Sequence, residues 1–112
     1  MTDKFFYQYK ATVKSVYDGD TITCDIDLGF DVILRKQKIR LYGIDTPELR
    51  GEEKERGIMV RDKVRELIDG KDIILKSIKD KKGKYGRWLG IIYIDELNLN
   101  DWLIDNDFAV KY

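Results

Sequence analysis

The chain has 112 residues, 43% of them apolar, with one Pro and one Cys, which is enough for one compact domain over residues 1–112 and too few for two. Its 21 basic and 21 acidic residues sum to a formal net charge of zero, excluding the high-pI class of general nucleic-acid-coating proteins. Cys24 alone cannot close an intrachain disulfide, no stretch approaches the roughly 18 apolar residues of a membrane span, and residues 1–10 lack the basic start and apolar centre of a signal peptide, so the expectation is a cytoplasmic or mature secreted protein without membrane attachment.

Tyr7, Tyr9, Ala11 and Val13 alternate with polar residues, the period-2 pattern of a half-buried strand. Ile22, Cys24, Ile26 and Leu28 alternate in the same way with Thr23, Asp25 and Asp27. Asp18-Gly19 between the two runs predicts a hairpin in which glycine supplies positive φ. A third strand over 32–42 places Ile39 and Leu41 on one face and Lys38, Arg40 and Tyr42 on the other. After Pro47 the period changes: Val60, Val64, Leu67 and Ile68 form a helical stripe with Gly70 as its stop. Residues 71–78 and 88–94 are rich in β-branched and aromatic residues and flank the turn Lys82-Gly83-Lys84-Tyr85-Gly86, predicting a second hairpin. Asn98 or Asn100 caps a short final helix carrying Leu99, Trp102 and Leu103.

The expected fold is therefore mainly β within the α+β class. Five strands with a helix after the third match the order of the oligonucleotide-binding (OB) barrel, and an open α+β sheet uses the same elements. Charge is uneven along it: residues 33–40 carry four bases and no acid, and residues 76–87 carry six bases against Asp80. These windows read either as solvated hairpin tips or as a positive rim that attracts an anion. Cys24 and the two tryptophans read as core.

Asp20 and Asp45 stand at strand ends that converge if the first three strands lie side by side. Converging carboxylates repel each other unless a cation or proton intervenes, and hard oxygen donors in a chain with no His suit Ca²⁺ or Mg²⁺ rather than zinc. Glu48, three residues beyond Asp45 on a turn stiffened by Pro47, is placed to accept a proton from water. Arg40 and Arg87 offer planar guanidinium groups that bind phosphate bidentately. Taken singly, these residues also read as turn chemistry, helix-start acids and rim arginines.

Tyr17-Asp18-Gly19-Asp20-Thr21, Ile39-Arg40-Leu41-Tyr42-Gly43-Ile44-Asp45-Thr46-Pro47-Glu48 and Lys84-Tyr85-Gly86-Arg87 together resemble the three signature segments of the staphylococcal nuclease (thermonuclease) family. The resemblance implies an OB barrel with a short C-terminal helix and a calcium-dependent hydrolase cleaving DNA and RNA, single strands favoured, to leave 3′-phosphate ends. It implies calcium ligands Asp20, Asp45 and the Thr46 carbonyl, with Asp18 behind them, and catalytic roles for Arg40, Glu48 and Arg87. It further implies that Lys84 and Tyr85 contact a terminal phosphate and that Tyr112 stacks near sugar and base. A monomer is expected; the chain stops at Tyr112 where the best-known family member continues into another helix, and if that gap leaves an apolar patch a dimer is the alternative. The rival reading is a binding module that keeps the barrel without the chemistry; such a module has no need of Glu48.

Overall fold

The computed structural model describes residues 7–82 and 86–112, with backbone only at 79–82. β1 (Gln8–Asp18) turns at Gly19 and Asp20 into β2 (Thr21–Asp27), which is followed by β3 (Ile33–Leu41) and the two-residue β4 (Ile44–Asp45). A 3-10 turn (Gly51–Glu53) leads into α1 (Lys54–Ile68), and β5 (Asp72–Lys82) and β6 (Trp88–Ile94) follow it. The chain ends with β7 (Leu97–Asn98), α2 (Leu99–Asp105) and β8 (Val110–Lys111).

The large sheet runs β3-β2-β1-β5-β6-β7, and a parallel pairing of β3 with β6 closes it. Five long strands thus form an OB barrel with α1 inserted between the third and fourth, and closure leaves those strands without a free edge. The inward faces supply Val13, Ile22, Cys24, Ile39, Leu41, Leu75 and Ile92, while Val60, Val64 and Ile68 of α1 fill one end and Leu99 and Leu103 of α2 cover another part of the core. Each such side chain contributes roughly 1.5–3 kcal/mol by leaving water. Burial pushes the Cys24 thiol up to about 12, with Asp25 adding to the rise, as befits a core residue.

Three expectations change. Gly19 does not have positive φ; a Cβ there would lie 2.7 Å from Val60 Cγ1 and 3.0 Å from Thr46 Cγ2. The glycine is needed for room, since it lets the first hairpin turn press against both α1 and the Thr46 loop. Leu28, placed by alternation in the second strand with Ile22, Cys24 and Ile26, is exposed because β2 ends at Asp27, whose carboxylate accepts the Gly29 N–H at 2.8 Å and starts the next turn.

Asp25, read as an outward residue, is buried. It accepts hydrogen bonds from the Lys36 N–H and from Arg35 Nη1, each at 2.9 Å. The Lys36 N–H is the main influence holding its carboxyl below the usual carboxylate range; burial opposes this, and Arg35 and Lys14 assist it. A carboxylate whose folded pKa is depressed stabilises the fold above its unfolded value, about 4, and that contribution is lost as pH falls through the folded value. Asp25→Asn should therefore melt below the wild type at pH 7 and approach it in strong acid. A melting gap that is equally wide at both pH values would show that the charge is not the cause.

Candidate active site

The turn at the end of β1 fixes Asp20. Its carbonyl accepts the Leu41 N–H at 2.8 Å, which ties the turn to the end of β3, and its N–H donates to Asp18 Oδ1 at 3.1 Å. The buried carboxylate accepts from Thr21 Oγ1 at 3.2 Å on Oδ1 and from the Thr46 N–H at 3.1 Å on Oδ2. Register does the rest. Thr21 pairs with Arg40 across β2 and β3, so their side chains share the outer face of the barrel.

Arg40 is the hub. Nη1 donates to the Leu41 and Ile44 carbonyls at 3.0 and 2.9 Å and lies 3.3 Å from Asp20 Oδ2, while Nη2 lies 3.4 Å from Asp45 Oδ1. One guanidinium therefore bridges the two carboxylates that the sequence pattern pairs. The Tyr112 ring lies 5.5 Å from Arg40 Cζ. It is held there because β8 pairs with β4, Asp45 opposite Val110, and the Tyr112 N–H donates to the Gly43 carbonyl at 3.0 Å. Arg87 arrives from the strand that closes the barrel against β3, just ahead of the β3–β6 pairing, and its Nη1 donates to Thr21 Oγ1 at 3.2 Å.

These groups line one open cleft of about 650 Å³, whose walls include Asp18, Asp20, Arg40, Asp45, Thr46, Glu48, Arg87 and Tyr112. Glu48 is exposed at its rim, and its N–H donates to Glu53 Oε1 at 3.3 Å. Burial, then the hydrogen bond and charge of Asp20, push Asp18 up to about 7. Burial and the Asp20 charge also raise Asp45, against the pull of Arg40. For Asp20 itself, burial is outweighed by the Asp18 hydrogen bond, the Arg40 charge and the Thr46 N–H, so its carboxyl is lowered. Two of three neighbouring acids thus resist ionisation, the condition that a hard cation relieves.

Residues 38–112 match the family described as "Staphylococcal nuclease homologue". The chain belongs to this family. Arg40, Asp45, Thr46, Glu48, Arg87 and Tyr112 fall within the match, and Asp18 and Asp20 join them through the turn contacts above. The chain is 32% identical over 91 residues to "Probable staphylococcal-like nuclease CAN2" and 33% identical over 91 residues to "Probable staphylococcal-like nuclease CAN3", both from Oryza sativa subsp. japonica; each match covers 79% of this chain. It covers 22% and 21% of those proteins, so the chain spans about a fifth of the length of the curated relatives it matches.

Lys84 and Tyr85 lie outside the described residues. Thr21, Gly57 and the barrel contacts of Asn100 escaped sequence reasoning. Thr21 links Arg87 to Asp20. Gly57 lets α1 sit directly against the Pro47 and Glu48 backbone; the available signal was a glycine inside a helical stripe, where it costs about 1 kcal/mol relative to Ala and so calls for a packing reason. Asn98 caps α2, accepting the Asp101 N–H at 3.0 Å, whereas Asn100 is buried and ties the helix to the barrel. Its Nδ2 donates to the Tyr42 and Gly90 carbonyls at 2.9 and 3.1 Å, and its Oδ1 accepts the Ile92 N–H at 3.2 Å.

Proposed function

We propose that the chain is a calcium-dependent phosphodiesterase that hydrolyses DNA and RNA with little sequence preference, favouring single strands and leaving 3′-phosphate ends. The observation that carries this reading is the convergence of Asp20, Asp45, Arg40, Glu48 and Arg87 on one solvent-open cleft. A pure binding module has use for the arginines but not for an exposed carboxylate at the rim. Asp20, Asp45 and the Thr46 carbonyl are the calcium ligands, and their all-oxygen chemistry fits that ion. Among the described residues no three acidic, His or Cys side chains form a metal-holding group, so the Thr46 carbonyl would act beside the two carboxylates. When bound, calcium offsets the negative charge that builds on the phosphate oxygens.

Glu48 takes a proton from a water molecule in the cleft, and the water oxygen attacks phosphorus opposite the departing 5′ oxygen. That oxygen is protonated from solvent, because an arginine, with a pKa far above neutrality, does not give up its proton. Arg87 and the Nη2 edge of Arg40, which is held by the longer contact to Asp45, receive the charge on the non-bridging oxygens.

Incubation with single-stranded DNA in calcium, in chelator, and with Glu48→Gln tests each part. Cleavage should require calcium, and Glu48→Gln should lower kcat roughly 10²-fold or more. No cleavage by the wild type in calcium removes the enzyme reading. Unimpaired cleavage by Glu48→Gln removes only the role of Glu48.

A further inference from the structure

A second groove, about 580 Å³, begins on the far side of Arg87 from the cleft and runs between the outer faces of β1, β2 and β3 and the side of α1. Its lining includes Lys38, Arg61, Arg65 and Arg87 and no carboxylate. Asp62, itself largely exposed, approaches Arg61 at 3.1 Å and Arg65 at 3.8 Å. Four cations less one acid leave +3, in a chain whose overall charge is zero. Concentrated positive charge beside an otherwise balanced surface selects an anionic partner.

The arrangement fits a chain of phosphates better than a single ion. Arg40 in the cleft and Lys38 in the groove are two residues apart on the same face of β3, a separation of about 6.6 Å, comparable to the phosphate-to-phosphate step of an extended single strand. Arg87 stands beside them at the start of the β3–β6 pairing and lines both cavities. Arg65 is pre-positioned, because its Nε and Nη2 donate to the Val16 carbonyl at 3.3 and 3.1 Å. Tyr17, 69% exposed, lines the same groove and presents a ring on which a base can stack.

We propose that the groove is a strand-guiding subsite. A single-stranded polynucleotide held in the cleft continues past Arg87, where Lys38 and Arg61 neutralise two further phosphates and Tyr17 stacks a base. This rests on the nuclease reading for the strand in the cleft. The basic residues give affinity without sequence preference, since they meet only the backbone.

The test is equilibrium binding of labelled oligothymidylates, one of three nucleotides and one of about twelve, followed by fluorescence anisotropy over a salt titration in chelator so that no strand is cut. Each lost phosphate contact on a single strand lowers the slope of log K against log salt by about 0.7. Lys38→Gln/Arg61→Gln should therefore lower the slope for the longer strand by about 1.4 and leave that for the trinucleotide as it was. Lys38→Gln alone, on an exposed strand position, should lower it by about 0.7 and serves if the double variant fails to fold. Tyr17→Ala should weaken the longer strand roughly tenfold with no change in slope. An unaltered slope for the longer strand, or equal losses at both lengths, overturns the proposal, as does wild-type protein that binds the two lengths equally. Cleavage is scored separately: a wild type that cuts nothing in calcium yet shows the length-dependent slope removes the nuclease reading and keeps the groove.

Discussion

Arg40→Ala is expected to destabilise the fold by about 3–5 kcal/mol and to lower phosphodiester cleavage roughly 10²- to 10³-fold. The stability loss follows from what the guanidinium holds. Its side chain is 14% exposed and lies against the Asp20 carboxylate, 8% exposed, and it also donates to two main-chain carbonyls at the β3 exit. Removing it strands a buried carboxylate and unpairs the carbonyls that shape the Asp45 loop. Against a typical total of 5–15 kcal/mol, that loss leaves a marginal protein. Arg40→Lys separates the two roles. A lysine keeps the charge and so recovers part of the stability, but one ammonium cannot reproduce the fork that spans both carboxylates, and activity should stay low. Calcium should raise the melting temperature of Arg40→Ala more than that of the wild type, because the unbalanced acids bind the ion more strongly and binding stabilises the folded state. Wild-type melting by Arg40→Ala, or the same calcium shift in both proteins, would refute this account of Arg40 as the charge that balances Asp20 and Asp45.

Much of that arrangement was legible in the sequence because it rests on short-range rules. Alternation set the face of each strand, so Arg40 could be placed opposite Ile39 and Leu41 before any contact was known. Element order indicated the barrel, and the barrel brings the β1 turn next to the β3 exit. Contacts between distant segments left weaker traces. A two-residue pairing such as β4 with β8 carries no periodicity, yet it is what brings Tyr112 over Arg40. Asp25 looked like an outward strand residue because alternation cannot register a backbone N–H waiting across the hairpin at Lys36. Gly19 was read through turn statistics, which speak of φ, when the constraint was the proximity of Val60 and Thr46. Asn100 was one of two adequate helix caps by pattern; only the positions of Tyr42 and Gly90 show why the other asparagine caps and this one binds the barrel.

Gly57→Ala carries the second large effect, and its sign is decided by a competition. In an exposed helix the change is favourable by about 1 kcal/mol. Here the new Cβ would fall against the Glu48 carbonyl oxygen well inside van der Waals contact, 2.7 Å from the Glu48 carbonyl carbon and 2.9 Å from the Pro47 oxygen. A flexible side chain could swing aside, but these atoms are backbone on a turn stiffened by proline. Val60 and Val64, fully buried on the same helix, resist retreat of α1 in the other direction. Overpacking of this kind costs up to about 3 kcal/mol, so the propensity gain is exceeded and a net loss of up to about 2 kcal/mol is expected, with a melting temperature lower by up to roughly 10 °C. The effect on activity should be larger than stability alone predicts. The backbone that moves is the one carrying the Glu48 carboxylate, and a displacement of about 1 Å at a catalytic group is worth roughly 10²-fold. Below the melting transition, the variant should therefore bind oligonucleotide nearly as well as the wild type while kcat falls. A melting temperature that rises would show that the Pro47 and Glu48 turn yields. A normal kcat in a destabilised variant would show that Glu48 works from a loop whose exact position the chemistry does not require.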